Sequence, residues 1–119
     1  MQYQKVMEYP QVDRVLNTFI KAIIKGSLLK AYKYCQITWK NNNSKTKLNV
    51  LLQHNIDSYE IISHEVIEVV AIRVKVRVVI GGVNHITYAM VIREKAPYKP
   101  DEKGKWGVNP ISFGGLKKE

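Results

Sequence analysis

Apolar residues recur at three-and-four spacing through residues 11 to 25, where Val12, Val15, Leu16, Phe19, Ile20 and Ile23 fall on one side of a helix. Arg14, Lys21 and Lys25 take the other side. Gly26 suits a left-handed stop, and Ser27 is placed to cap a following helix by accepting an orphan backbone N–H bond. The helical period resumes from residue 28 to about residue 39, with Leu28, Ala31, Tyr32, Cys35 and Trp39 as the buried stripe and Lys30, Lys33 and Lys40 toward solvent. Asn41-Asn42-Asn43 ends that helix, because asparagine side chains compete for backbone hydrogen bonds. Ser44 or Thr46 is positioned to cap a third helix running to about residue 56, with Leu48, Leu51, Leu52 and Ile56 inward.

After Asp57 the period becomes two. Residues 58 to 64, containing Tyr59, Ile61 and Ile62, read as one strand, and residues 65 to 80 as a long second strand bent near Val69-Val70, where the alternation slips. In Ile72-Arg73-Val74-Lys75-Val76-Arg77-Val78-Val79-Ile80 β-branched residues alternate with cations, so one face is apolar and the other charged. Gly81-Gly82 supplies a hairpin turn and residues 86 to 93 return. With Ile72, Val74, Val76 and Val78 inward, the bulkier set Ile86, Tyr88, Met90 and Ile92 is the better inward choice on the partner strand. Facing residues share a side of the sheet, so that choice requires an odd loop such as Gly81-Gly82-Val83. Residues 96 to 104, rich in proline and charge, read as a mobile connection, and Lys105-Trp106-Gly107-Val108 opens a last strand that Pro110 must end or bulge. The predicted fold is α+β: three N-terminal helices packed on a curved, mainly antiparallel sheet of about four strands. It forms a single domain with its core in about residues 11 to 113 and terminal arms at 1 to 10 and 114 to 119.

Composition adds a charge argument to this outline. A chain of 119 residues can bury a core without disulfides or metal, and 45% hydrophobic content is ordinary for a globular protein. Nineteen lysines and arginines against ten acids leave a net charge of +9, which attracts polyanions such as nucleic acid, an anionic membrane surface or an acidic protein. Cys35 is the one cysteine, so no intramolecular disulfide forms, and a reducing cytosol is the simpler assumption. No apolar run approaches the roughly 18 residues of a membrane span, and Met1-Gln2-Tyr3-Gln4-Lys5-Val6-Met7-Glu8 lacks a signal-peptide core. The Met1 start argues against trimming from a longer anchored protein, and the expected location is cytoplasmic.

The junction Ile23-Ile24-Lys25-Gly26-Ser27-Leu28-Leu29-Lys30-Ala31-Tyr32 and the closing Gly104-Lys105-Trp106-Gly107-Val108, within an order of three helices then a curved antiparallel sheet, resemble the nuclear transport factor 2-like superfamily. In that superfamily a helix ends at a glycine before a helix carrying an alanine and an aromatic, and the last strand opens with a tryptophan. The resemblance covers residues 11 to 113 and implies a cone in which the sheet wraps the helices around a pocket. Members include isomerases, dehydratases and polyketide cyclases. Noncatalytic members serve as accessory domains in bacterial cell-wall enzymes and in conjugation or mobile-element proteins, often as oligomers through the sheet. No catalytic motif of any one family is present to carry over.

An enzyme of this type needs a base and an acid inside the cone. Asp13 and Asp57 fall near element ends, where a carboxylate caps a helix or turn, and Glu94, Asp101 and Glu102 fall near or in the loop, in solvent. The facing of Glu60, Glu65 and Glu68 is undetermined where the alternation slips. His54, His64 and His85 lack metal-ligand spacing, and only His64, at a strand end, is a pocket candidate; no metal and no cofactor are expected. Cys35 reads as a small buried hydrophobe rather than a nucleophile. Tyr32, Trp39, Tyr59, Tyr88 and Trp106 either line the cavity with His64 or pack the core.

Arg73, Lys75 and Arg77 form the candidate polyanion or interface stripe. Alternate strand residues lie about 6.6 Å apart on one face, near the spacing of successive phosphates. The same cations serve equally to solubilise the sheet, or to pair with Glu60, Glu65 or Glu68 on a neighbouring strand. Lys21, Lys25, Lys30 and Lys33, with Tyr34 as a stacking group, offer a second basic surface. The expected function is a noncatalytic, oligomeric accessory module of a bacterial, phage or mobile-element system whose basic sheet face meets nucleic acid, an acidic protein or another subunit. The alternative is a small-molecule binder or isomerase/cyclase-like enzyme using Tyr59, His64 or Tyr88.

Overall fold

The structure, a computed structural model, describes residues 2–113 and 115–119, with side chains described for 10–111 and 115–119. Helix α1 spans Gln2–Lys25, so it begins well before residue 11 and carries Pro10 inside it. A proline inside a helix removes one backbone donor and crowds the carbonyl four residues back. The predicted stripe faces inward, with Val12, Leu16, Phe19 and Ile20 fully buried.

The chain from residue 28 to 39 does not form one helix. It forms α2 (Leu28–Lys33) and α3 (Ile37–Asn42), separated where Cys35 makes a parallel bridge to Val108. Gln36 N donates to Val108 O at 2.8 Å and Val108 N to Tyr34 O at 2.8 Å, so the backbone gives up helical bonds for sheet-like ones. Gly107 permits the crossing: a Cβ there would stand 2.6 Å from Gln36 Cα and 2.7 Å from Cys35 O. Ala31, Cys35 and Trp39 are nonetheless buried as the helical period requires.

Neither predicted serine cap forms. Ser27 uses its backbone instead, donating to Ala22 O and accepting from Ala31 N, and Ser44 Oγ lies 2.7 Å from Thr46 Oγ1. The asparagine stop does hold, since Asn42 Nδ2 and Asn43 Nδ2 each donate at 2.9 Å to the carbonyl four residues back. The third helix is shorter than expected, a 3₁₀ turn at Lys45–Leu48 running into α4 (Asn49–Leu52), with Leu48 and Leu51 buried.

One mainly antiparallel, open sheet follows, built from β1 (Ile56–Glu68), β2 (Ala71–Ile80), β3 (Val83–Ala96), β4 (Lys99–Pro100), β5 (Lys105–Asn109) and β6 (Lys117–Lys118). The α+β prediction is correct in class, with six strands in place of about four. Val69-Val70 is a turn between two strands, not a bend within one, and the slips in alternation are register shifts in β1 around Asp57, Ile62 and Ile67. Long β3 pairs with β2 along one side and with β4, β5 and β6 along the other. Strand β5 stops before Pro110, which starts the short helix α5 (Pro110–Phe113).

The β2–β3 hairpin has the even loop, with Ile80 opposite Val83 across Gly81-Gly82. Both glycines have positive φ, 59° and 77°, as a tight two-residue turn requires. The inward residues of β3 are therefore Thr87, Ala89 and Val91, facing Val76, Val74 and Ile72 in register, and Ile86, Tyr88, Met90 and Ile92 stand on the outer face. Small residues belong inside because Leu16, Phe19 and Ile20 of α1 already fill the space above the sheet. Residues 96 to 104 are tied back to α3, with Tyr98 N donating to Thr38 Oγ1 at 2.8 Å and Asn42 Nδ2 to the Tyr98 hydroxyl at 2.5 Å.

Candidate functional site

The aromatic and histidine candidates do not converge. Tyr32 and Trp39 pack edge to face, with ring centroids 6.0 Å apart, and the Tyr32 hydroxyl donates to backbone carbonyls of Lys40 and Asn43. The Tyr59 hydroxyl donates to Asn17 Oδ1 at 2.6 Å, and burial raises its pKa. His64 Nε2 lies 2.6 Å from Asp13 Oδ1, so Asp13 sits mid-helix binding β1 and is not a terminal cap. Tyr88 stands on the opposite face, 44% exposed, and Trp106 borders a separate cleft.

Glu94, expected in solvent, is buried, and it accepts hydrogen bonds from Thr38 N at 2.9 Å and from the Thr38 hydroxyl. That bond joins β3 to α3. Asp57 Oδ2 accepts from Gly82 N at the hairpin turn. Among the described residues, no three of His, Cys, Asp and Glu are placed to share a metal ion.

Burial pushes the Cys35 thiol up from 9.0 to about 12, with Lys40 opposing weakly. The protonated thiol is thus favoured by folding, and the stability it contributes is intact below pH 9.0 and lost as pH rises toward about 12. At pH 8 the pKa alone lowers the thiolate fraction about a thousandfold, so alkylation by a small thiol reagent should require unfolding. Rapid stoichiometric labelling of the native protein would contradict this.

The outer-face cations are largely matched by the protein's own acids. Glu65 stands opposite Arg73 in register and accepts from its Nε at 2.9 Å, and the same guanidinium lies 5.3 Å from the Tyr88 ring centroid. Glu60 faces Arg77 and pairs with it at 3.1 Å, and Glu119, just past β6, takes its Nε and Nη2 at 2.7 and 2.8 Å. The bond to Arg77 holds the Glu119 carboxyl below its ordinary range and raises the guanidinium in turn. Both arginines of the stripe are thus paired with acids of the same sheet face.

A different basic constellation lies where α1, α2, α3, β3 and β5 meet. Arg14, Lys33, Lys40, Arg93 and Lys105 line a cleft of about 610 Å³ with no carboxylate among its described lining residues. Among the described residues these five side chains form no ion pair. Arg93 is held in place, its Nε donating to Gly104 O at 3.0 Å and its guanidinium lying 5.3 Å from the Trp106 ring centroid. Lys40 Nζ reaches the Lys33 carbonyl at 3.4 Å, and Tyr34 completes the wall.

The Cys35–Val108 crossing explains the convergence: it turns the chain after Lys33 and Tyr34, sets α3 with Lys40 beyond, and fastens both to the strand that carries Lys105 and Trp106. Five like charges in one depression repel one another, a cost to the folded state that a bound anion would relieve. Lys30 and Lys33, singled out from the sequence with Tyr34, do adjoin; Lys21 and Lys25 lie outside the cleft's lining. Arg14, Lys40, Arg93 and Lys105 escaped notice as binding residues because they come from four separate elements. Among the described residues no helix is long and apolar enough to cross a membrane. Comparison with protein-family models, curated proteins and solved structures gave no match.

Proposed function

We propose that the protein is a noncatalytic interaction module of the nuclear transport factor 2-like type, an accessory part of a bacterial, phage or mobile-element system, that holds an anionic partner in its basic cleft. One observation carries this reading: the described lining of the cleft gathers five cations and no carboxylate, whereas Arg73 and Arg77 on the outer sheet face already pair with Glu65, Glu60 and Glu119. Electrostatic attraction to a polyanion is strongest where cations are concentrated and unmatched. Cytoplasmic residence and self-association through the outer sheet face belong to the same proposal. That face offers exposed Tyr88 and half-buried Ile86 beside the paired arginines.

The small-molecule or enzymatic alternative keeps one specific support, the His64–Asp13 contact at 2.6 Å. Tyr59 bonds instead to Asn17, and Tyr88 faces outward on the other side of the sheet.

Amide chemical-shift mapping with inorganic polyphosphate tests the cleft. Residues 33 to 40 and 104 to 106 should shift together and saturably, while 73 to 77 stay near their free positions. With about four phosphate contacts, log K should fall by about 3 per decade of salt. Shifts confined to 73 to 77, or none in the cleft, would overturn the proposal.

A further inference from the structure

We infer that the anionic partner of the cleft is a single-stranded nucleic acid, bound with its phosphates on the lysines and a base stacked on Tyr34. This rests on the cleft being the anion site, and three features carry it further. First, the cleft does not end at Tyr34: a second depression of about 270 Å³ lies beyond it, lined by Ser27, Lys30 and others, and shares Lys33 and Tyr34 with the first. Lysines therefore line both depressions, Lys40 and Lys105 in the first, Lys30 in the second and Lys33 in both, so the basic lining extends beyond one pocket.

Second, the basic lining is interrupted by aromatic groups. Tyr34 is a half-buried wall common to both depressions, and Trp106 lines the first, half-buried with the Arg93 guanidinium over its ring. A positive groove that follows a backbone, with rings set into it for successive bases, is how proteins hold unpaired strands without reading sequence. Third, the alternatives use only part of this surface. An acidic peptide would engage the lysines and leave the rings idle, and a duplex keeps its bases stacked on each other, out of reach of rings set in a depression. A fixed guanidinium plane on Trp106 adds a further surface for a base.

The test compares three ligands of equal length on the full chain: an oligothymidylate, the same phosphodiester with abasic sites throughout and so the same charge spacing, and a duplex, whose charge density is higher. The oligothymidylate should bind at least about fivefold more tightly than the abasic strand for each stacked base, with the duplex weaker than the oligothymidylate. Tyr34→Leu should remove that preference and Tyr34→Phe, which keeps the ring, should retain it. The wild-type ligand comparison stands even if Tyr34→Leu fails to fold. Equal binding of the thymidylate and abasic strands would overturn the single-strand inference while leaving an anion cleft in place; no binding of any ligand would overturn both.

Discussion

Replacing Gly107 with alanine should destabilise the fold by about 3 kcal/mol or more, the sum of a forced backbone displacement and weakened hydrogen bonds around it. The added Cβ would meet Gln36 Cα at 2.6 Å and Cys35 C and O at 2.8 and 2.7 Å, all main-chain atoms that cannot swing aside as a side-chain tip would. Relief requires the Tyr34–Gln36 segment to lift off β5, which stretches the two 2.8 Å bonds between that segment and Val108. A midpoint loss of about 10 °C or more in thermal unfolding is expected. Gly115→Ala, where nothing lies within 4 Å of the new Cβ, should leave the midpoint almost unchanged. A Gly107→Ala protein as stable as the parent would mean that the crossing is not tight. A folded but weakened variant should also lose polyanion affinity, because the crossing sets Lys33 and Tyr34 against Trp106.

How far the sequence reveals this fold depends on whether a residue's role is set locally. The α1 stripe, the buried column Ile72, Val74, Val76 and Val78, and the stop at the asparagines were legible because each follows from neighbours along the chain. The facing of β3 was not, since its inward residues Thr87, Ala89 and Val91 are small for a reason that lies 70 residues away in Leu16 and Phe19. Residues 34 to 36 carry a helical pattern and yet cross β5; the warning was Gly107, an isolated glycine in a strand pattern, which signals a close backbone approach. Pairing with acids on a neighbouring strand was open to view as one reading of the stripe, and the register sets Glu65 opposite Arg73 and Glu60 opposite Arg77. The cleft was hidden, because Arg14, Arg93 and Lys105 lie far along the chain from Lys33 and Lys40, and the fold alone brings them together.

The charge of the cleft leads to the second large effect. Lys33 and Lys105 are exposed and Lys40 half-buried, and none forms an ion pair among the described residues, so replacing all three with alanine should leave folding intact. Each lost phosphate contact removes about 1 kcal/mol, and three together weaken binding by more than about a hundredfold. The salt slope should fall as well, by about 0.7 for each contact removed from a single strand. Replacing Arg73, Lys75 and Arg77 instead also removes three positive charges, but from a face where Glu60, Glu65 and Glu119 already answer both arginines.

Net charge falls equally in the two triple variants, so any difference between them reports location and not overall basicity. The decisive measurement is therefore the affinity of a single-stranded oligonucleotide for both variants and the parent across a range of salt. A hundredfold loss with a shallower salt slope for the Lys33, Lys40 and Lys105 variant, beside a near-parental curve for the Arg73, Lys75 and Arg77 variant, is the predicted result; equal losses, or the larger loss on the outer sheet face, would contradict it.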